Sequence, residues 1–95
     1  MAKLSESEIQ AQLPAAKGWD RVGDMLVRTW QFPSSRRALE FVNGAAALAE
    51  KLDHHPDIIL SCRSVRIELS THSAGGLTPR DFEAAAEFNA LPTDR

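Results

Sequence analysis

The stretch EKLDHHPD, residues 50 to 57, sets two histidines side by side, follows them with a proline and brackets them with acids. Histidine is the side chain that titrates unaided near neutral pH, so such a pair suggests proton transfer or metal ligation. Glu50 and His54 are four residues apart, which makes them neighbours if one helix carries both. A carboxylate beside an imidazole fixes the orientation of the ring. Pro56 ends any helix that reaches it and biases His55 towards extended backbone. His54 is therefore expected to close a helix and His55 to leave it, so that two rings approach one pocket from different directions. The third histidine, His72, falls at the end of the polar side of a strand pattern. All three sit at element ends, where function is often placed.

Each of these residues also has a plainer reading. Adjacent histidines before a proline make an ordinary solvated helix end, and Glu50 an ordinary surface charge. Asp81 reads as a helix cap, Cys62 as a small hydrophobe and Trp30 as core. Trp19 suits either the core or a pocket wall. A zinc site is poorly supported, because no histidine pair has the i, i+4 spacing and Cys62 is the single soft ligand.

The elements that would position these residues follow from the punctuation of the chain. Ser5 with Glu8 forms a capping box that opens a short helix, closed by Pro14 and Gly18. Two extended runs flank Gly23-Asp24, a hairpin signal. In the second run Leu26, Trp30 and Phe32 share one side, with Arg28 an exception among them. Ser34 or Ser35 caps a long helix towards Leu52, whose apolar face of Ala38, Phe41, Val42, Ala45, Ala49 and Leu52 is widened by Ala46 and Leu48. An apolar IIL run and then VRIELST follow. In the latter Val65, Ile67, Leu69 and Thr71 point one way, and Arg66, Glu68, Ser70 and His72 the other. After Gly75-Gly76, Thr78 caps the last helix with Pro79 in its first position and Asp81 three residues on. The tail LPTDR reads as loose. The order α-β-β-α-β-β-α predicts an α+β domain spanning 1–95, with a four-stranded antiparallel sheet and three helices packed on one face.

Composition narrows the function classes. The chain has 95 residues, 43% hydrophobic and 25% charged, which suits one folded domain. A net charge of −2 argues against nucleic acid or an anionic membrane as the main partner. No apolar run reaches the roughly 18 residues of a membrane span, and MAKLSESEIQ lacks the apolar core of a secretory signal. One cysteine allows no intrachain disulfide, and a cytoplasmic location is expected. The wide helix face, and a strand Met25 to Phe32 that could form an edge, point to self-association, most simply about a twofold axis.

Glu50, His54, His55, Pro56, His72, Gly75, Gly76, Leu77, Thr78 and Asp81 together resemble the pattern of the pterin-4a-carbinolamine dehydratase family. That pattern sets an acid four residues before His-His-Pro, then an aromatic, then a histidine, then an aspartate. The resemblance runs over nearly the whole chain, with one departure. The aromatic would fall at Cys62 or Arg63, and neither is aromatic. The resemblance implies dehydration of a 4a-hydroxytetrahydropterin to a quinonoid dihydropterin without metal or cofactor, in tetrahydropterin recycling. It implies His54 and His72 as the proton-transfer pair, His55 as a substrate-placing residue, Glu50 as the residue orienting His54, and Asp81 as one shaping the pocket. It also implies a homodimer or homotetramer. Two other readings stay open: a non-catalytic dimerisation or assembly cofactor of the same fold, and a metal-binding protein using the three histidines.

Overall fold

A computed structural model describes residues 2–93. The element order is the expected one: α1 (Glu6–Gln12), β1 (Asp20–Val22), β2 (Met25–Gln31), α2 (Ser35–Leu52), β3 (Asp57–Ser61), β4 (Ser64–Leu69) and α3 (Pro79–Asn89). Short 3-10 turns follow α1 at Leu13–Ala15 and β4 at His72–Ala74. The strands form one antiparallel sheet in the order β1-β2-β4-β3. Among the described residues, no helix is long and apolar enough to cross a membrane.

Alternation sorts the sheet into two faces. Leu26 and Trp30 of β2 and Val65, Ile67 and Leu69 of β4 are buried under the helices. The helices add Ile9, Ala38, Phe41, Ala45, Ala49, Ala84, Ala85 and Phe88 to the same cluster. The alanine-rich stripe of α2 lets the helix lie close to β3 and β4. Fully burying a large side chain such as Phe88 contributes about 1.5–3 kcal/mol, and Phe88 is 0% exposed.

Arg28, the exception among the inward-facing residues of β2, is accommodated rather than expelled. Its guanidinium lies 4.7 Å from the centre of the Trp30 ring, and Nη1 donates to Asn89 Oδ1 at 2.5 Å. Trp19 Nε1 donates to the same oxygen at 2.8 Å, and Asn89 Nδ2 donates to the Lys17 carbonyl at 2.9 Å. Asn89 thus ties the end of α3 to the segment before β1. Gly18 makes room for this clamp: at φ +84°, a Cβ there would meet Arg28 Cζ at 2.7 Å. Trp19 is accordingly core, edge-on to Trp30 at 5.7 Å.

Two expectations are corrected. Met25–Gln31 is an inner strand, flanked by β1 and β4, and the sheet edges are β1 and β3. Because β1 pairs only with Met25 to Val27, the remainder of β2 lacks a strand neighbour on that side among the described residues. In the tail, Leu91 packs against the core, whereas Asp94 and Arg95 lie outside the described residues.

The first helix is held by polar contacts. Ser5 and Glu8 close the capping box, and Arg21 pairs with Glu6. The Arg21 hydrogen bond, with help from Gln10, draws the Glu6 carboxyl below its ordinary 4.5, and the Ser5 backbone amide does the same for Glu8. Both folded values are depressed, so their stabilisation is present above the ordinary value and is lost as pH falls through the folded values. Acidification should therefore release α1, which buries only Ile9, before the sheet opens. Amide exchange against pH measures this. The double substitution Glu6→Gln and Glu8→Gln should flatten the α1 profile, and an unaltered profile would contradict the assignment.

Candidate active site

The turn after α2 splits the histidine pair. Asp53 takes the left-handed conformation, φ 51°, at the C-cap, a position where glycine is usual and Asp is among the better-tolerated alternatives. Its carbonyl accepts from Arg80 Nη2 at 2.5 Å, and the His54 amide returns to Ala49 O at 3.2 Å. Two neighbouring side chains then leave in different directions. His54 is 8% exposed and His55 is open to solvent.

His54 enters a buried network. Its Nε2 lies 2.7 Å from Asp81 Oδ1. Asp81 Oδ2 accepts from the Thr71 hydroxyl at 2.8 Å and from the Thr78 amide at 2.9 Å. Thr78 Oγ1 lies 2.8 Å from Thr71 Oγ1, and Asp81 and Thr78 are 0% exposed. A carboxylate only accepts, so His54 Nε2 carries the hydrogen in this contact. Asp81 at the third position of α3 is thus more than the cap that spacing suggested. It joins the end of α2, the end of β4 and the start of α3.

His55 meets Glu50 through Nε2, so the carboxylate four residues before His54 partners the other histidine. The reason is the left-handed residue at Asp53, which turns the His54 ring away from the surface of α2 that Glu50 occupies. His55 and His72 line a cleft of about 310 Å³ together with Asp24, Met25, Asp57, Glu68, Ser70 and Gly75. His54 is not in this lining; it borders a smaller hollow with Leu52, Arg80, Glu83 and Ala84. Among the described residues, no three His, Cys, Asp or Glu side chains gather in a way that could hold a metal ion.

The strand period alone puts Glu68 and Ser70 beside His72 on the polar side of β4, and that side is the cleft face. Asp24 and Asp57 carry no such signal, since one comes from the β1–β2 turn and the other from an edge strand. Cys62 is exposed, at φ 57° in the β3–β4 turn, and lies outside the cleft lining. The missing aromatic therefore removes nothing from the wall of this cleft.

Residues 2–91 match the sequence model of the family described as Pterin 4 alpha carbinolamine dehydratase. A protein of Natronomonas pharaonis, named provisionally as a pterin-4-alpha-carbinolamine dehydratase, is 46% identical over 89 residues, covering 94% of this chain and 95% of its own. The crystal structure of a transcriptional coactivator/pterin dehydratase from Brucella melitensis superposes with a TM-score of 0.86 at 38% identity, over 93% of this chain and 96% of that one. A pterin dehydratase-like protein identified as a RuBisCO assembly factor in the alpha-carboxysome superposes with a TM-score of 0.62 at 26% identity, over 76% and 83%.

Thr71→Val tests the buried network without altering volume much. It leaves Asp81 Oδ2 with one donor fewer and strands the Thr78 hydroxyl, so unfolding free energy should fall by about 1–3 kcal/mol. The ring resonances of His54 and His72 should both move, and Thr71→Ser should restore them. A denaturant midpoint equal to that of the parent chain would show that the hydroxyl is dispensable.

Proposed function

The chain belongs to the pterin-4a-carbinolamine dehydratase family, and on that premise we propose that it dehydrates 4a-hydroxytetrahydropterin to quinonoid dihydropterin in tetrahydropterin recycling. The observation that carries the reading is that His55 and His72, on separate elements, line one open cleft at the lower end of the usual range for small-molecule sites.

The reaction breaks the C4a–O bond and removes the proton on N5. The N5 lone pair forms the C4a=N5 double bond as the hydroxyl takes up a proton and leaves as water. One group must give a proton and another must accept one, and imidazole does either near neutral pH. The geometry favours His55 and His72 in these roles. Glu50 accepts from His55 Nε2–H, which leaves Nδ1 as the free nitrogen of that ring. His54 acts at one remove: through Asp81 it fixes the turn from which His55 projects. This gives His55 the proton-transfer part that family resemblance suggested for His54, and leaves His54 a positioning part away from the cleft.

The intact histidine cleft also weighs against a role in assembly alone, the alternative that likeness to the RuBisCO assembly factor raises, because binding a protein partner has no need of two imidazoles lining one cleft. We further propose self-association through the exposed flank of α2, where Leu39 is 49% exposed and Ala46 and Ala47 face outward.

Freshly generated 4a-hydroxytetrahydropterin, followed by ultraviolet absorbance, should be consumed faster with the protein than without it. His55→Ala and His72→Ala should each lower kcat at least about tenfold with the fold retained, in line with the 10² to 10⁴ typical of a positioned acid or base. His54→Ala should instead cost stability as well as rate, since it leaves Asp81 short of a partner. Parental turnover in both cleft variants would remove the mechanism, and absence of any turnover would leave the assembly role standing. Light scattering at micromolar concentration should give a mass above 10.4 kDa, reduced to that value by Leu39→Glu on this flank.

A further inference from the structure

The cleft that holds His55 and His72 is lined on its other sides by Asp24, Asp57 and Glu68 and, among the described residues, by no lysine or arginine. Two of these acids stand directly opposite each other, since Asp57 pairs with Glu68 in the β3–β4 register. Like charges in facing positions destabilise a sheet. A sequence that keeps such a pair at the wall of a cleft breaks a local rule without a packing gain, and function is the usual reason. Glu68 is partly compensated, because Arg66 Nε donates to its Oε2 at 2.7 Å. Asp57 has no hydrogen bond or ion pair among the described residues. Lys3 lays its stem over Gly76 and does not line the cleft.

An uncompensated carboxylate calls for a ligand that brings donors, and a parallel pair of N–H groups suits a carboxylate best. The aminopyrimidinone edge of a pterin, with its 2-amino group and N3–H side by side, is such a pair. Arg21 lies within electrostatic reach of Asp24, so Asp57 is the least compensated of the three, and a negatively charged ligand in this cleft would meet net negative charge. Resting on the dehydratase reading of this site, we propose that Asp57 receives the donor edge of the pyrimidine ring and that Asp24, Asp57 and Glu68 together restrict the substrate to pterins with uncharged side chains. Glu68 supports the same edge from the opposite strand. Pterins that carry a phosphate or carboxylate on the side chain are excluded.

Titration with fluorescent oxidised pterins tests this. One probe carries a neutral polyol side chain and the other is its phosphate monoester. The parent protein should prefer the neutral probe by about tenfold or more at ~10 mM salt, and the gap should narrow at ~150 mM as screening shortens the reach of the acids. Asp57→Asn should weaken the neutral probe by about tenfold, the loss of one charge-assisted contact, and reduce the preference. Cys62→Ser, outside the cleft, should match the parent. Equal affinity for the two probes, or an unweakened Asp57→Asn, overturns the proposal. A protein that turns over the carbinolamine yet shows no charge preference refutes this inference alone, whereas one that binds neither probe and turns nothing over refutes the dehydratase reading with it.

Discussion

The site depends on one buried carboxylate. Asp81 is fully enclosed, and removing a carboxylate from water costs several kcal/mol unless donors replace the lost hydration. Three do so: the Thr71 hydroxyl, the Thr78 amide and His54 Nε2. These donors come from three parts of the chain, so satisfying the charge fixes those parts relative to one another. Two of the three immediately precede a cleft histidine, Thr71 before His72 and His54 before His55. The network touches neither cleft ring, but it sets the backbone from which each ring leaves.

Around this anchor the sheet divides the work. Its covered face is leucine, valine, isoleucine and tryptophan, and among the described residues no buried side-chain nitrogen or oxygen is left without a partner. Its open face carries the polar positions of β4 and the start of β3, which become one wall of the cleft. Core and site are thus the two sides of the same strands. A register slip of one residue in β4 would put Glu68 into the core and Ile67 into the cleft, so the packing of Val65, Ile67 and Leu69 also holds the chemistry in place.

The far end of the molecule uses a similar device for stability. Asn89 gathers Trp19, Arg28 and the Lys17 carbonyl, and the Arg28 guanidinium stacks on Trp30. Here a charged residue on an inward position is tolerated because its head finds an oxygen acceptor and an aromatic face. Gly18 lacks the side chain that would block this approach.

Much of this was legible in the chain. The capping boxes at Ser5 and Thr78, the turn at Gly23-Asp24, the apolar stripe of α2 and the alternation of VRIELST are local signals, and each fixes an element through the conformational preferences of a few neighbouring residues. They specify the element order and the cleft-facing side of β4. Spacing also puts Glu50, the histidines and Asp81 among the candidate residues. Which carboxylate meets which histidine was not legible. Helical spacing joins Glu50 to His54, but Asp53 adopts a left-handed turn, so His54 rotates inward to Asp81, 27 residues away, and Glu50 is left to His55. The place of β2 inside the sheet, and the meeting of Asp24 and Asp57 with Glu68 at one cleft, were likewise settled only by tertiary packing. Local sequence specifies the direction in which the chain runs over a few residues. Long-range partners are chosen by which arrangement buries the apolar faces while leaving no buried charge without its donors.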